Sequence, residues 1–136
     1  MKKSLIGVAL LLLVLTLVGC GGPPRVNVRG KVTYGAKTMK YGEVVFFGSD
    51  GVPKTSKIDK DGNYEITDLA GGEVKIAVRS VNPKEVPSGD RKGPNPEDVK
   101  NWFYISPAYA DVNTSGLTLT VTAKDTEHNI QLTAKK

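Results

Sequence analysis

From Val26 onward the chain repeats with a period of two, and this constrains its fold more than any other feature. Val26, Val28, Gly30, Val32 and Tyr34 alternate with Asn27, Arg29, Lys31 and Thr33. Val44 and Phe46 share one face of a second segment, and Val45 and Phe47 share the other. Tyr64 and Ile66 follow an Asp61-Gly62 turn. Val74, Ile76 and Val78 alternate with Lys75, Ala77 and Arg79, and Leu117, Leu119 and Val121 with Thr118, Thr120 and Thr122. Ile130 and Leu132 close the chain. Successive side chains of an extended backbone point to opposite faces, so this pattern predicts strands buried on one side. Turn signals at Tyr34-Gly35, Tyr41-Gly42, Asp50-Gly51, Asp61-Gly62, Gly71-Gly72 and Ser115-Gly116 separate them. About seven short strands at this spacing predict an all-β, antiparallel, Ig-like sandwich.

One stretch breaks the rhythm. Residues 81–110 hold Pro83, Pro87, Pro94, Pro96 and Pro107 with Gly89 and Gly93, and little alternation. Loops of this length inside a compact domain are functional or mobile. Within it, the segment from Pro96 to Phe103 starts on proline and carries Glu97 and Asp98 in its first turn, which predicts one short turn of helix.

The N-terminus has a different character. Lys2 and Lys3 precede an uncharged, almost wholly apolar run of 14 residues, Leu5 to Val18, then Gly19 and Cys20, the only cysteine. The run falls short of the roughly 20 residues a spanning helix needs. A basic start, a short apolar segment and small residues at its end make an export signal. Leu17-Val18-Gly19-Cys20 resembles the lipobox of bacterial lipoproteins. The resemblance implies cleavage between Gly19 and Cys20 and acylation of Cys20 through its thiol and new amine. The alternatives are a plain secretory signal with an incidental cysteine, or an uncleaved anchor. Two or more acyl chains hold a protein stably on a bilayer, at about 0.8 kcal/mol per buried methylene. The expected localisation is therefore the exported side of a bacterial envelope membrane. Gly21 is not a retention signal of the Asp type, which leaves the outer membrane open as a destination. Gly21-Gly22-Pro23-Pro24 makes a short extended tether, reaching about 20 Å from Cys20 to the first strand.

The expected organisation is a signal peptide over 1–19, a lipidated cysteine and tether over 20–25, and one sandwich domain over 26–136. Cleavage leaves 117 of the 136 residues, enough for a single core. That core must form without disulfides, because no second cysteine exists. The mature part carries 17 basic and 14 acidic residues, a net +3, with the lysines scattered singly. No run is dense enough to suggest nucleic acid as a partner.

A longer resemblance covers residues 28 to 78. Val28-Arg29-Gly30-Lys31-Val32-Thr33 is followed by Gly42-Glu43-Val44-Val45-Phe46-Phe47, then Asp61-Gly62-Asn63-Tyr64-Glu65-Ile66 and Leu69-Ala70-Gly71-Gly72-Glu73-Val74. This is similar to the carboxypeptidase regulatory-like domain, a transthyretin-like seven-stranded sandwich found in small bacterial lipoproteins. The tail, Ile105 to Thr118, also resembles the end of those lipoproteins. Ala70 or Gly71 stands where that family usually has proline. The resemblance implies a fold and carries no catalytic residue across. It gives Gly30 a place where strands pack closely and Leu69 a place in the core.

Few residues offer chemistry. His128 is the only histidine and shares the parity of Ile130 and Leu132. A partly buried strand residue is the simpler reading, and a lone histidine is a poor base or ligand. The transthyretin-like ureide hydrolases carry several histidines and a C-terminal tetrapeptide, whereas this chain ends Thr133-Ala134-Lys135-Lys136. Asp59-Lys60-Asp61-Gly62 is not a calcium loop of the EF-hand kind, since glycine falls at position four and Ala70 at position twelve. A looser cation site joining Asp59, Asp61 and Asp68 stays open beside the simpler hairpin. No cofactor and no enzymatic activity are expected.

Trp102, Phe103, Tyr104 and Tyr109 are four of the nine aromatics and fall within eight residues of the irregular loop. Exposed, they would bind a protein partner or stack on a sugar. Folded back, they would tether the loop and offset its ordering entropy. The expected function is a non-catalytic structural or protein-interaction module at the envelope. The alternative is a glycan-binding accessory protein using the same loop. Oligomeric state is left open.

Overall fold

The structure is a computed structural model that describes residues 19, 21–87, 89, 93–122 and 124–134. Residues 1–18 and Cys20, on which the expected signal peptide and lipidation rest, lie outside these residues. Among them the chain forms β1 (Arg25–Tyr34), β2 (Lys37–Thr38), β3 (Glu43–Phe47), β4 (Pro53–Lys57), β5 (Asn63–Ala70) and β6 (Gly72–Arg79). It continues through helix α1 (Pro96–Asn101), a 3-10 turn at Pro107–Ala110, β7 (Leu117–Val121), β8 (Thr126–Glu127) and β9 (Ile130–Leu132). Seven of the described strands have three residues or more.

Two sheets face each other across one core. In the first, β1 is central, with β5 and β2 antiparallel along one side and β8 and β9 on the other. The second runs β4-β3-β6-β7, antiparallel throughout. Val28, Val32 and Ile66 from the first sheet meet Val44, Phe46, Val74, Ile76 and Val78 from the second, all fully buried. These are the inward parity of the alternation. Arg29, Lys31, Glu65, Glu73 and Lys75 take the outward parity and are exposed.

In one respect the topology departs from a purely antiparallel sandwich. β8 and β9 run parallel to β1, pairing Val28 with Thr126 and Val32 with Ile130. The cause is the connection: β7 ends beside the start of β6, and the chain crosses to the other sheet at that same end. It must then run in the direction of β1. Such a crossover leaves no trace in the alternation.

A bulge interrupts β5. Val28 pairs with Ile66 but Val26 pairs with Leu69, so Thr67 and Asp68 together oppose Asn27. Asp68 adopts φ 54°, a left-handed conformation that a short polar side chain tolerates. The extra residue resets the parity and turns Leu69 inward, where it is fully buried.

The strands define two poles. Gly71 N–H donates to the Pro24 carbonyl (2.8 Å), so the N-terminal stub leaves where β5 ends and β6 begins. Arg25 makes a 2.9 Å ion pair with Asp50 from the β3–β4 turn at this same pole. At the opposite pole lie the end of β1, the described residues between Ser80 and Gly116, and the β4–β5 connection, which crosses from one sheet to the other rather than closing a hairpin, since β4 pairs with β3 and β5 with β1.

Candidate interaction surface at the loop pole

The described residues of the long segment make specific contacts at the pole opposite the stub. Asn95 caps α1, its Oδ1 accepting from the Glu97 N–H at 3.0 Å, with Pro96 in the first turn. The helix stops at Trp102, whose backbone N–H donates to the Asp98 carbonyl. Trp102 is half-buried and its Nε1–H donates to the Ser80 carbonyl at 3.0 Å. Ser80 Oγ donates back to the Phe103 carbonyl. Phe103 packs on the core against Tyr34, ring centroids 5.9 Å apart, with Lys37 Nζ 5.9 Å from its centroid.

Tyr109 is buried, with 3 % of its surface exposed. Its hydroxyl donates to the Thr133 carbonyl at 2.9 Å and accepts from the Thr133 N–H at 3.0 Å. The 3-10 turn is thereby fastened to the residue that follows β9. Three of the four loop aromatics thus bridge the loop to the sandwich. Tyr104 is 66 % exposed and is the ring that remains at the surface.

Between this loop and the sheet ends lies a cleft of about 520 Å³, lined by Tyr41, Ile58, Val81, Val86, Asp98 and Asn101 among others. Its size falls within the range of small-ligand and side-chain-accepting sites. Val81 and Val86, 55 % and 46 % exposed, put two apolar side chains on a lining that also holds Lys40, Lys57, Lys60 and Glu97. Glu43 and Arg79, 3.5 Å apart, form an ion pair on its wall. Burial, then the carboxylates of Asp98 and Glu43, raise the Tyr41 hydroxyl above the usual phenol range. These residues carry no motif. Two valines in a proline-rich loop were the only available sign, and only the fold puts them beside Tyr41.

The other singled-out residues have local roles. Asp59 Oδ1 accepts from the N–H groups of Asp61 and Asn63, both at 2.8 Å, and these bonds, led by Asn63, hold its carboxyl below the ordinary range. Asp68 sits at the stub pole with Lys54 at 3.2 Å, so Asp59, Asp61 and Asp68 are not brought together. Among the described residues no group of three His, Cys, Asp or Glu is arranged to hold a metal ion. No helix among them is long and apolar enough to cross a membrane. His128 lies between β8 and β9 rather than in a strand, its ring half-buried. The backbone N–H of His128 donates to the Arg29 carbonyl at 2.8 Å.

No family model and no curated protein matches the chain. Among solved structures it is similar to a DUF3823 family protein from Parabacteroides merdae, with 18 % identity and a TM-score of 0.45, over 80 % of this chain and 46 % of that one. It is also similar to GBS52, the minor pilin of Streptococcus agalactiae, with 13 % identity and a TM-score of 0.44, over 85 % of this chain and 47 % of that one. The chain spans about half the length of each.

Proposed function

We propose that this chain is an exported lipoprotein whose carboxypeptidase regulatory-like sandwich serves as a non-catalytic module for holding a protein partner near a membrane. Leu17-Val18-Gly19-Cys20 after a short apolar run supports the anchor. One structural observation carries the rest: the stub and the long loop occupy opposite poles. Strands of eight residues separate the poles by about 26 Å. A lipid on Cys20 would hold one pole at the bilayer and display the loop away from it, one domain length out.

The contact surface is the cleft, where Val81 and Val86 stand among charged residues. Val81 and Val86 supply desolvation, while Tyr41, Asp98 and Asn101 supply oriented polar groups. An apolar centre with polar surroundings is the anatomy of a protein-binding patch. The glycan reading rests on Tyr104, since the other three rings of the loop are engaged with the sandwich.

Two measurements test this reading separately. Mass spectrometry of the protein from its native envelope should find an acylated Cys20 at the N-terminus, and an unacylated N-terminus removes the anchor. Crosslinking and pull-down of the wild type against Val81→Asp/Val86→Asp tests the surface. The same partner recovered equally with both would remove the cleft from the account. Retention of the wild type on wall polysaccharide, abolished by Tyr104→Ala, would favour the glycan alternative.

A further inference from the structure

The second sheet ends in two unlike edges. β4, at one end, carries Pro53, Lys54 and Lys57, a missing N–H and two charges of the kind that protect an edge from pairing. β7, at the other end, reads Leu117-Thr118-Leu119-Thr120-Val121 and has no charge, proline or glycine. Beyond the ladder with β6, residues 118–121 make no hydrogen bond among the described residues. Leu117 and Leu119 are only half-buried, although they pack against the core.

The β7 sequence is complementary to itself. Turned antiparallel about Leu119, it sets Leu119 against Leu119, Leu117 against Val121 and Thr118 against Thr120. Apolar residues then meet on the inner face and threonines on the outer, with no like charges opposed. Apolar–apolar and Thr–Thr pairs are favourable across antiparallel strands. We propose that β7 pairs with β7 of a second copy of this chain, joining two four-stranded sheets into one of eight strands across a two-fold axis. A five-residue edge buries little area, so the association is weak and concentration-dependent.

The geometry has a consequence for an anchored protein. β7 runs from the loop pole to the stub pole, and antiparallel pairing sets the stub of one copy beside the loop of the other. Copies tethered closely to one surface are thereby kept apart, whereas copies on facing surfaces are free to join. This consequence rests on the lipid-anchored reading, and the pairing itself does not.

All the contacts described lie within residues 19–134, so a chain lacking residues 1–18 retains them. Sedimentation equilibrium on that chain, with Cys20→Ser to prevent a disulfide, is the test. The mass should rise with concentration toward twice the monomer value. Thr118→Lys/Thr120→Lys and Thr118→Glu/Thr120→Glu change exposed side chains, so each variant should melt like the wild type and each alone should stay monomeric. Mixed in equal amounts they should recover the dimer, because lysine then faces glutamate. A wild type monomeric at millimolar concentration overturns the proposal. A lysine variant that dimerises unchanged, or a mixture that shows no recovery, overturns it equally.

Discussion

Tyr64 Oη donates a 2.6 Å hydrogen bond to the carbonyl oxygen of His128, and that same carbonyl occupies the space a side chain would take at Gly30. Three segments distant in sequence meet at this point: the middle of β1, the start of β5 and the link between β8 and β9. The link bends inward there, and the Asn129 side chain accepts from the Lys31 N–H at 2.9 Å to hold the far side of the bend. The C-terminal strands dock on β1 through this junction.

Replacing Tyr64 by Phe keeps the ring in contact with Phe46 but deprives the half-buried His128 carbonyl of this donor. The expected cost is about 1–3 kcal/mol, the penalty for an unsatisfied buried polar group. Urea denaturation should show a lower midpoint at unchanged slope. An unaltered midpoint would mean that solvent reaches the His128 carbonyl.

Gly30→Ala should cost more than its single methyl suggests. The added carbon would land on the His128 carbonyl, a backbone group with no rotamer by which to move aside. A loss of about 1–3 kcal/mol or more is expected from overpacking. Hydrogen exchange should quicken selectively in β8 and β9. Gly21→Ala, where nothing lies within 4 Å, is the control and should leave stability unchanged.

The loop aromatics should separate by their burial. Tyr109→Ala removes a buried ring and a hydroxyl bonded to Thr133, an expected loss of about 3–5 kcal/mol. Trp102→Ala, half-buried and holding one carbonyl, should cost about 1–2 kcal/mol. Tyr104→Ala should fall within about 0.5 kcal/mol of the wild type. Thermal melts of the three would refute this ordering if Tyr104→Ala proved the most damaging.

Burial of the His128 ring disfavours its charged form and lowers its pKa below 6.5. The unfolded chain therefore takes up a proton more readily than the folded one. Stability is unaffected well above pH 6.5 and declines as pH falls from there toward the folded value, below which it levels off. His128→Gln should flatten the profile over that window. Because the chain has no other histidine, a decline that persists in the variant would belong to the carboxylates.

Most of the fold was legible because burial follows parity. The inward sets Val26-Val28-Val32, Val74-Ile76-Val78 and Ile130-Leu132 all lie in the core, as alternation alone predicts. Met39 and Ile58 are equally buried but sit outside any alternating run. Each is held by a backbone bond to a neighbouring segment: Met39 N–H to the Val32 carbonyl across the β1–β2 turn, and Ile58 N–H to the Gly42 carbonyl, both at 2.9 Å. The Asp68 bulge was hidden for a related reason. Ile66 and Leu69 are three apart, and the odd spacing becomes meaningful only once Asn27 is seen opposite two residues.

The chain by itself determined the class of structure, the absence of a disulfide within the chain and the segment that would not form strands. These depend on local periodicity, cysteine count and proline content, which are written residue by residue. Tertiary structure alone decided that β8 and β9 run parallel to β1, that three of four loop aromatics turn toward the sandwich, and that the stub and the loop occupy opposite poles. Those outcomes depend on which distant backbone groups and rings find one another, and hydrogen bonds across 64 positions, as between Tyr64 and His128, have no signature at either end.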